Sequence, residues 1–271
     1  MSATIERAPL PIEYRGLRRV GAAASDWLAV TGRNLIHFRR VPQLLVFSTI
    51  QPVIFVLLFR YVFGGAIRIP GVPYVDYLMP GIFVQTAMFG AIATAVGLAA
   101  DLKTGLIERF QSLPMARSAV LAGRTAADLS RNIFVAALMS VVGFAVGFRV
   151  HTNALAFVAG IAVLLLFGYA MSWVFASVGL LVGDPETAQA AAFPVMAPLV
   201  FASSAFVPVE TMPGWLQAFA ENQPVSVTAS AVRALVLGGP TASYVLQSLA
   251  WSVGILLLFA PLAVRRYRRA V

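Results

Sequence analysis

Cysteine is absent from this 271-residue chain, and histidine occurs only twice. The first absence excludes disulfides, thiolate metal sites and cysteine nucleophiles together. Charge is also scarce: Asp, Glu, Lys and Arg make up 11% of the residues, against about 25% in a soluble domain. That is too little polar surface to cover a globule of this length. Acidic residues are the rarer sign, 11 against 20 basic, which leaves a net charge of +9. In a soluble protein such an excess would point to nucleic acid, so the basic residues have to be located before they are interpreted. What the chain has in quantity is apolar side chain, 59% of its residues, with a mean hydropathy of +0.84. The composition is that of an all-α polytopic membrane protein, in which every backbone polar group is satisfied within its own helix.

A hydrocarbon core of about 30 Å needs roughly 20 apolar helical residues to cross it. Six segments meet or approach this, at about 44–63, 77–100, 133–148, 154–182, 190–206 and 244–264. The fifth is short and interrupted by Pro194 and Pro198. The organisation expected is a cytoplasmic N-terminal region (1–43), a six-helix transmembrane domain (44–264) and a basic tail (265–271). The stretch before the first span is too long and too polar for a signal peptide, so the N-terminus should be retained. In this topology 16 of the 20 basic residues fall on one side. Basic residues stay cytoplasmic, which places both termini inside. A five-span alternative would carry Arg265, Arg266, Arg268 and Arg269 outside. The positive charge therefore reads as orientation, and no nucleic-acid partner is expected.

Two segments are not expected to span. Residues 26–40 are amphipathic at 100° per residue. Trp27, Leu28, Thr31, Leu35 and Phe38 share one face, while Asp26, Arg33, His37 and Arg40 share the other. The segment reads as a helix lying in the membrane interface. Residues 207–240, with Pro208, Pro213, Trp215, Phe219 and Pro224, are semi-apolar and broken. They read as short external surface or re-entrant helices shielded by protein.

Catalytic and metal chemistry find no support. Arg60 is the one ionisable residue placed clearly within a span, and it can reach the outer surface from there. His37 and His151 have no second ligand at metal spacing. Ser203 and Ser204 lack a nearby base and a Gly-x-Ser-x-Gly setting. The segment from Gly97 to Thr104 approaches a phosphate-binding loop, but Leu102 stands at the second glycine and no strand precedes it. No buried proton relay is evident, so uphill transport would draw its energy from another chain. Gly143-x-x-x-Gly147 and Gly179-x-x-x-Gly183 offer close helix approach. Phe83, Gln85, Thr86 and Phe89 in the second span, and Phe193, Met196, Val200 and Ser203 in the fifth, form stripes of bulky and weakly polar groups. Such surfaces suit amphiphilic ligands of varied shape, and they suit interhelical packing equally.

The most informative segment is the loop Asp101-Leu-Lys-Thr-Gly-Leu-Ile-Glu-Arg-Phe-Gln-Ser-Leu-Pro-Met-Ala-Arg117, followed by Gly123-Arg-Thr-Ala-Ala-Asp128. A short polar helix ending at Leu113-Pro114 would form a knob suited to a groove on a soluble partner. The loop resembles that of membrane subunits of ABC exporters of the drug-resistance type, the branch tied to antibiotic and lipid efflux in actinobacteria. Tyr77-Leu-Met-Pro-Gly81, residues 206–217, Gln223-Pro-Val-Ser226 and Arg233-Ala-Leu extend the resemblance over nearly the whole chain.

The resemblance implies six spans in the bacterial plasma membrane, paired with a second permease copy or paralogue. It implies a separate cytoplasmic ATPase on each half, which brings the ATP and Mg; no cofactor is expected in this chain. Residues 26–40, including Trp27, Arg33, Arg39 and Arg40, would be the connecting helix. Thr104, Gly105, Glu108, Arg109, Phe110, Leu113 and Pro114 would form the coupling helix on the ATPase, with Asp184 and Glu186 a second contact. The second and fifth spans would line the substrate path, and Pro208, Met212 and Trp215 would belong to its external gate. Glu108 could pair with Arg39 or Arg40. The cargo would be amphiphilic, and lipid would surround the subunit. Three competing readings are a self-contained secondary transporter, an intramembrane enzyme, and the permease of a polysaccharide or glycolipid exporter.

Overall fold

A computed structural model describes residues 42–67, 69, 71–105 and 117–269. Their secondary structure is helical, with no strand among the described residues. Helix α1 (Pro42–Leu57) continues as a π-helical segment, Leu58–Phe63. It is followed by α2 (Tyr74–Lys103), α3 (Arg117–Ala145), α4 (Ala154–Val182) and α5 (Pro185–Phe201). A 3₁₀ turn (Val209–Thr211) and two short helices, α6 (Gly214–Asn222) and α7 (Pro224–Leu237), precede the last helix, α8 (Thr241–Arg269). Four helical stretches are long and apolar enough to cross a membrane: Tyr74–Lys103, Asp128–Ala145, Ala154–Val182 and Thr241–Tyr267. The first segment appears as a shorter apolar helix, Thr49–Phe63.

Capping residues set several helix ends. Asn153 accepts the backbone N–H of Ala156 to start α4, and Asp184 does the same for Thr187, with Pro185 at the first position of α5. Both are standard N-terminal solutions for orphan amides. Gly183 closes α4 at φ 71°, a conformation that favours a residue without Cβ.

Most sequence-derived spans shift at their ends. The fourth matches α4, whereas the second extends to Tyr74–Lys103 and the sixth to Thr241–Arg269. The fifth is a correction: α5 begins at Pro185 and stops at Phe201, short of 206. The Ser203 hydroxyl bonds to the Val200 carbonyl and accepts the Ala205 amide, turning the chain out of the helix. The third also moves, because α3 ends at Ala145 and Gly147 takes φ 102°.

Close contacts define helix direction. A Cβ on Gly168 would lie 3.2 Å from that of Ala87, and one on Gly179 would strike the backbone of Ala95. These pairings rise together along both chains, so α2 and α4 are parallel. Gly143 faces Met79, Gly90 faces Asn132, and Thr94 bonds Asp128, so α3 runs antiparallel to α2. Helix α5 is also antiparallel to α2: its first turn meets Lys103, and the chain beyond its end meets Gly81. Stacking of Phe59 on Phe206 and a bond from Arg60 to the Val146 carbonyl bring the end of α1 to the ends of α3 and α5. Thus α1, α3 and α5 run one way, and α2, α4 and α8 the other. Gly179 makes a close approach, but Gly183 is a cap and Gly147 a turn, so neither Gly-x-x-x-Gly pair works as a unit.

The core lies between α2 and the surrounding α3, α4, α5 and α7, with Phe83, Met88, Phe148, Phe167 and Phe175 among its fully buried side chains. A smaller cluster of Leu98, Trp173, Leu180, Ala263 and Tyr267 joins α2, α4 and α8 at the opposite end from Phe206. Residues 207–240 form short helices, as the broken pattern implies, and α7 is mostly buried.

Candidate functional site

Three regions carry the residues that the sequence singles out: the end holding Lys103 and Asp184, the bundle interior, and the opposite end around residues 202–244.

At the first end, the Lys103 Nζ donates to Asp184 Oδ1 at 2.6 Å, joining the last turn of α2 to the cap of α5. Asp184 also accepts the backbone N–H and hydroxyl of Thr187. The Lys103 hydrogen bond, followed by the two Thr187 bonds, holds the Asp184 carboxyl down at about 2. Thr104 caps α2, its hydroxyl bonding the Ala100 carbonyl, and Gly105 follows at φ 67°. Thr104, Gly105, Asp184 and Glu186 therefore occupy one end of the bundle. Glu108, Arg109, Phe110, Leu113 and Pro114 lie outside the described residues, as do Trp27, Arg33, Arg39 and Arg40.

In the interior, Phe83 and Thr86 line a small cavity of about 10 Å³ with Asn132, Ala136, Leu164 and Gly168. Gln85 is buried, with neither side-chain amide atom hydrogen-bonded among the described residues. Phe89 is partly buried against the core. Met196 and Val200 are fully buried, Ser203 is buried in the turn after α5, and Phe193 is 53% exposed. Phe83 and Thr86 face α3 and α4, whereas Phe193 points away from the core.

The expectation that Arg60 is the one ionisable group within a span is corrected. Asp128 and Arg131 are both buried in the apolar part of α3, 3.8 Å apart at i,i+3. Thr94 donates to Asp128 at 2.7 Å, and Arg131 donates to the Gly90 carbonyl at 2.6 Å. The pair is hydrogen-bonded on both sides, the condition under which buried charge is tolerated. In the sequence the apolar run starts only at Ile133, so both residues read as loop charges.

At the other end, buried Asp76 in the first turn of α2 accepts the Arg149 backbone N–H and the His151 Nε2–H, both at 2.8 Å. His151 thus has a carboxylate partner, 75 residues away, which local spacing could not show. Among the described residues no group of three or more His, Asp or Glu could hold a metal.

The unwound segment after α5 is held by side chains. Tyr74 donates to the Phe206 carbonyl, and Tyr77 and Arg233 both donate to that of Ser204. Ser226 accepts the Ser204 amide, and Gln223 donates to the carbonyls of Leu199 and Ala202. Non-helical backbone beside a membrane core needs such internal partners. Pro208 lines a cavity of about 460 Å³ between this segment, α7 and the start of α8. Met212 is partly exposed beside the 3₁₀ turn, and Trp215 is 77% exposed on α6.

This architecture is that of a multi-pass helical membrane protein, with ionic ties at both ends of the α2–α4 pair. The chain belongs to the ABC-2 type transporter family, whose pattern it matches over residues 25–237. It is 35% identical over 246 residues to the daunorubicin resistance ABC transporter permease protein DrrB1 of Streptomyces coeruleorubidus, covering 91% of this chain and 87% of that one. It is 29% identical over 273 residues to the "Probable doxorubicin resistance ABC transporter permease protein DrrC" of Mycobacterium tuberculosis, covering 99% and 97%. Nodulation protein J of Rhizobium leguminosarum is more distant, 24% identical over 258 residues, covering 90% and 93%. The chain is thus related to proteins named as ABC transporter permeases.

Proposed function

We propose that this chain is the transmembrane half of an ATP-driven exporter that moves amphiphilic small molecules, drugs, antibiotics or lipids, out of the cell. In this reading two cytoplasmic ATPase subunits bind and hydrolyse ATP with Mg, and each contacts one copy of this permease or of a paralogue. Six spans cross the plasma membrane with both termini inside. The alternating directions of α1, α2, α3, α4, α5 and α8 support this count, since six helices that reverse at each connection return the chain to the side on which it started.

The observation that carries the reading is the Lys103–Asp184 bridge. It ties the start of the first cytoplasmic loop to the second, and an ATPase docked on residues 104–114 would also meet residues 184–186. Movement of that soluble dimer would then be delivered to α2 and α5 together. Those two helices hold the proposed path residues Phe83, Gln85, Thr86, Phe89, Phe193, Met196 and Val200, with Ser203 in the turn that follows α5. ATP binding shifts the membrane half only by its differential affinity for the inward and outward states. Pro208, Met212 and Trp215 belong to the outer end of the path.

The test is efflux of a fluorescent anthracycline from cells that express the chain with or without its ATPase. The probe is chosen because relatives are named for resistance to daunorubicin and doxorubicin. Export should need the ATPase, and Glu108→Ala should abolish export while ATP binding by the partner persists. Export by this chain alone would favour a secondary transporter, and full export by Glu108→Ala would overturn the coupling assignment.

A further inference from the structure

The cavity of about 460 Å³ beside residues 202–210 has a chemical asymmetry that a structural clamp does not need. Arg233 lines it. The Nε and Nη2 of this side chain are spent on the carbonyls of Tyr77 and Ser204. Its guanidinium lies 3.6 Å from the centroid of the Tyr77 ring. That leaves Nη1, with two N–H donors, making no hydrogen bond among the described residues. Ser230, one turn before Arg233 on α7, lines the same cavity, and its hydroxyl is likewise unpaired among the described residues. Two exposed carboxylates, Glu210 and Glu221, line the same cavity, and Glu221 also accepts the side-chain amide of Gln217 at 2.8 Å. Neither forms an ion pair with Arg233, although all three line one space.

A guanidinium with spare donors beside a free hydroxyl suits a phosphate oxyanion. Two carboxylates lining the same cavity suit a primary ammonium, whose three N–H groups need acceptors. The volume falls within the range of small-ligand pockets, about 300–1,000 Å³. We propose that this cavity binds a zwitterionic head group, its phosphate on Arg233 and Ser230 and its primary ammonium at Glu210 and Glu221. The same chemistry occurs in a phosphoethanolamine lipid and in free phosphoethanolamine. Only the side of the membrane on which the cavity opens rests on the orientation proposed above; the binding itself is independent of export.

The purified full-length chain, in mixed micelles without an ATPase, is titrated with phosphatidylethanolamine, phosphatidylglycerol and phosphatidylcholine of identical acyl chains. Retained lipid is read by native mass spectrometry. Phosphatidylethanolamine should be held about tenfold more tightly than the other two, the scale of one charge-assisted hydrogen bond. Glu210→Gln with Glu221→Gln should erase the preference over phosphatidylglycerol, and Ser230→Ala should weaken all three lipids. Arg233→Lys keeps the charge but loses the fork, and should also weaken binding. Because Arg233 holds two backbone carbonyls, the carboxylate variants remain decisive if that one fails to fold. Competition by free phosphoethanolamine would assign binding to the head group alone; binding of the lipid without such competition would assign it to the lipid. Equal retention of the three lipids, or an unchanged preference in the double carboxylate variant, would overturn the proposal.

Discussion

Gly81→Ala is a demanding test of the packing described here. A Cβ at Gly81 would lie 2.5 Å from the carbonyl carbon and 2.6 Å from the Cα of Ala205. Carbon atoms in contact prefer about 3.5–4.0 Å, so relief needs a backbone shift of roughly 1 Å. The segment that must move is held by bonds from Tyr77 and Arg233 to Ser204, at 3.1 and 2.9 Å, and from Tyr74 to Phe206 at 3.0 Å. Losing two or three such bonds costs about 2–3 kcal/mol, and the overpacking itself adds about 1–3 kcal/mol. Against this, alanine is about 1 kcal/mol better than glycine within a helix. The net is a destabilisation of about 2–5 kcal/mol. For a chain of this size that corresponds to a thermal midpoint about 5–15 °C lower, measured by scanning fluorimetry in one detergent. Gly254→Ala is the control, because nothing lies within 4 Å of its Cβ position in α8. It should leave the midpoint unchanged or raise it slightly. A Gly81→Ala midpoint within about 1 °C of wild type, or a larger loss in Gly254→Ala, would refute the close approach.

Two further outcomes follow from the ionic ties. Lys103→Glu and Asp184→Lys should each reduce ATP-dependent export, and the exchanged pair should restore it; failure of the exchange would show that the bridge does not couple α2 to α5. Because the Asp184 carboxyl is depressed to about 2, its contribution is present above the ordinary carboxylate value and lost only as pH falls through about 2. In the wild type the bridge should therefore contribute evenly from pH 5 to 8, whereas raised salt should weaken this exposed pair. Asp76→Ala removes the acceptor for the Arg149 amide and the His151 ring. It should lower stability by about 2–3 kcal/mol, with Asp76→Asn recovering part of the loss; equal midpoints for wild type and Asp76→Ala would rule out a structural role.

The helical membrane class was legible in the sequence because long apolar runs and scarce charge leave few other solutions. The match of the fourth span to α4 is the clearest case, since Asn153 and Gly183 punctuate it locally. The fifth differs at both ends, Pro185–Phe201 against the expected 190–206. Its start depends on an Asp-Pro cap, which is local and readable, but its end depends on Ser203 folding back on Val200. Of the candidate site residues, Thr104, Gly105, Asp184 and Glu186 share one end of the bundle, and the structure adds the Lys103 contact between the two loops. The stripes on the second and fifth spans could be listed by periodicity, yet their facing is a property of the assembled bundle, in which Phe193 is exposed and Gln85 enclosed.

By itself the sequence determined the class of protein, the helical content and the family, because these follow from composition and local pattern. Only the tertiary structure decided which charges are paired. Asp76 meets His151, Lys103 meets Asp184, and Arg233 meets Tyr77 and Ser204 across separations of 75 to 156 residues, except the last contact at 29. No local pattern encodes such meetings. They arise where packing brings distant elements together, and a buried charge such as Asp76 keeps its place only when the approaching element brings it a partner.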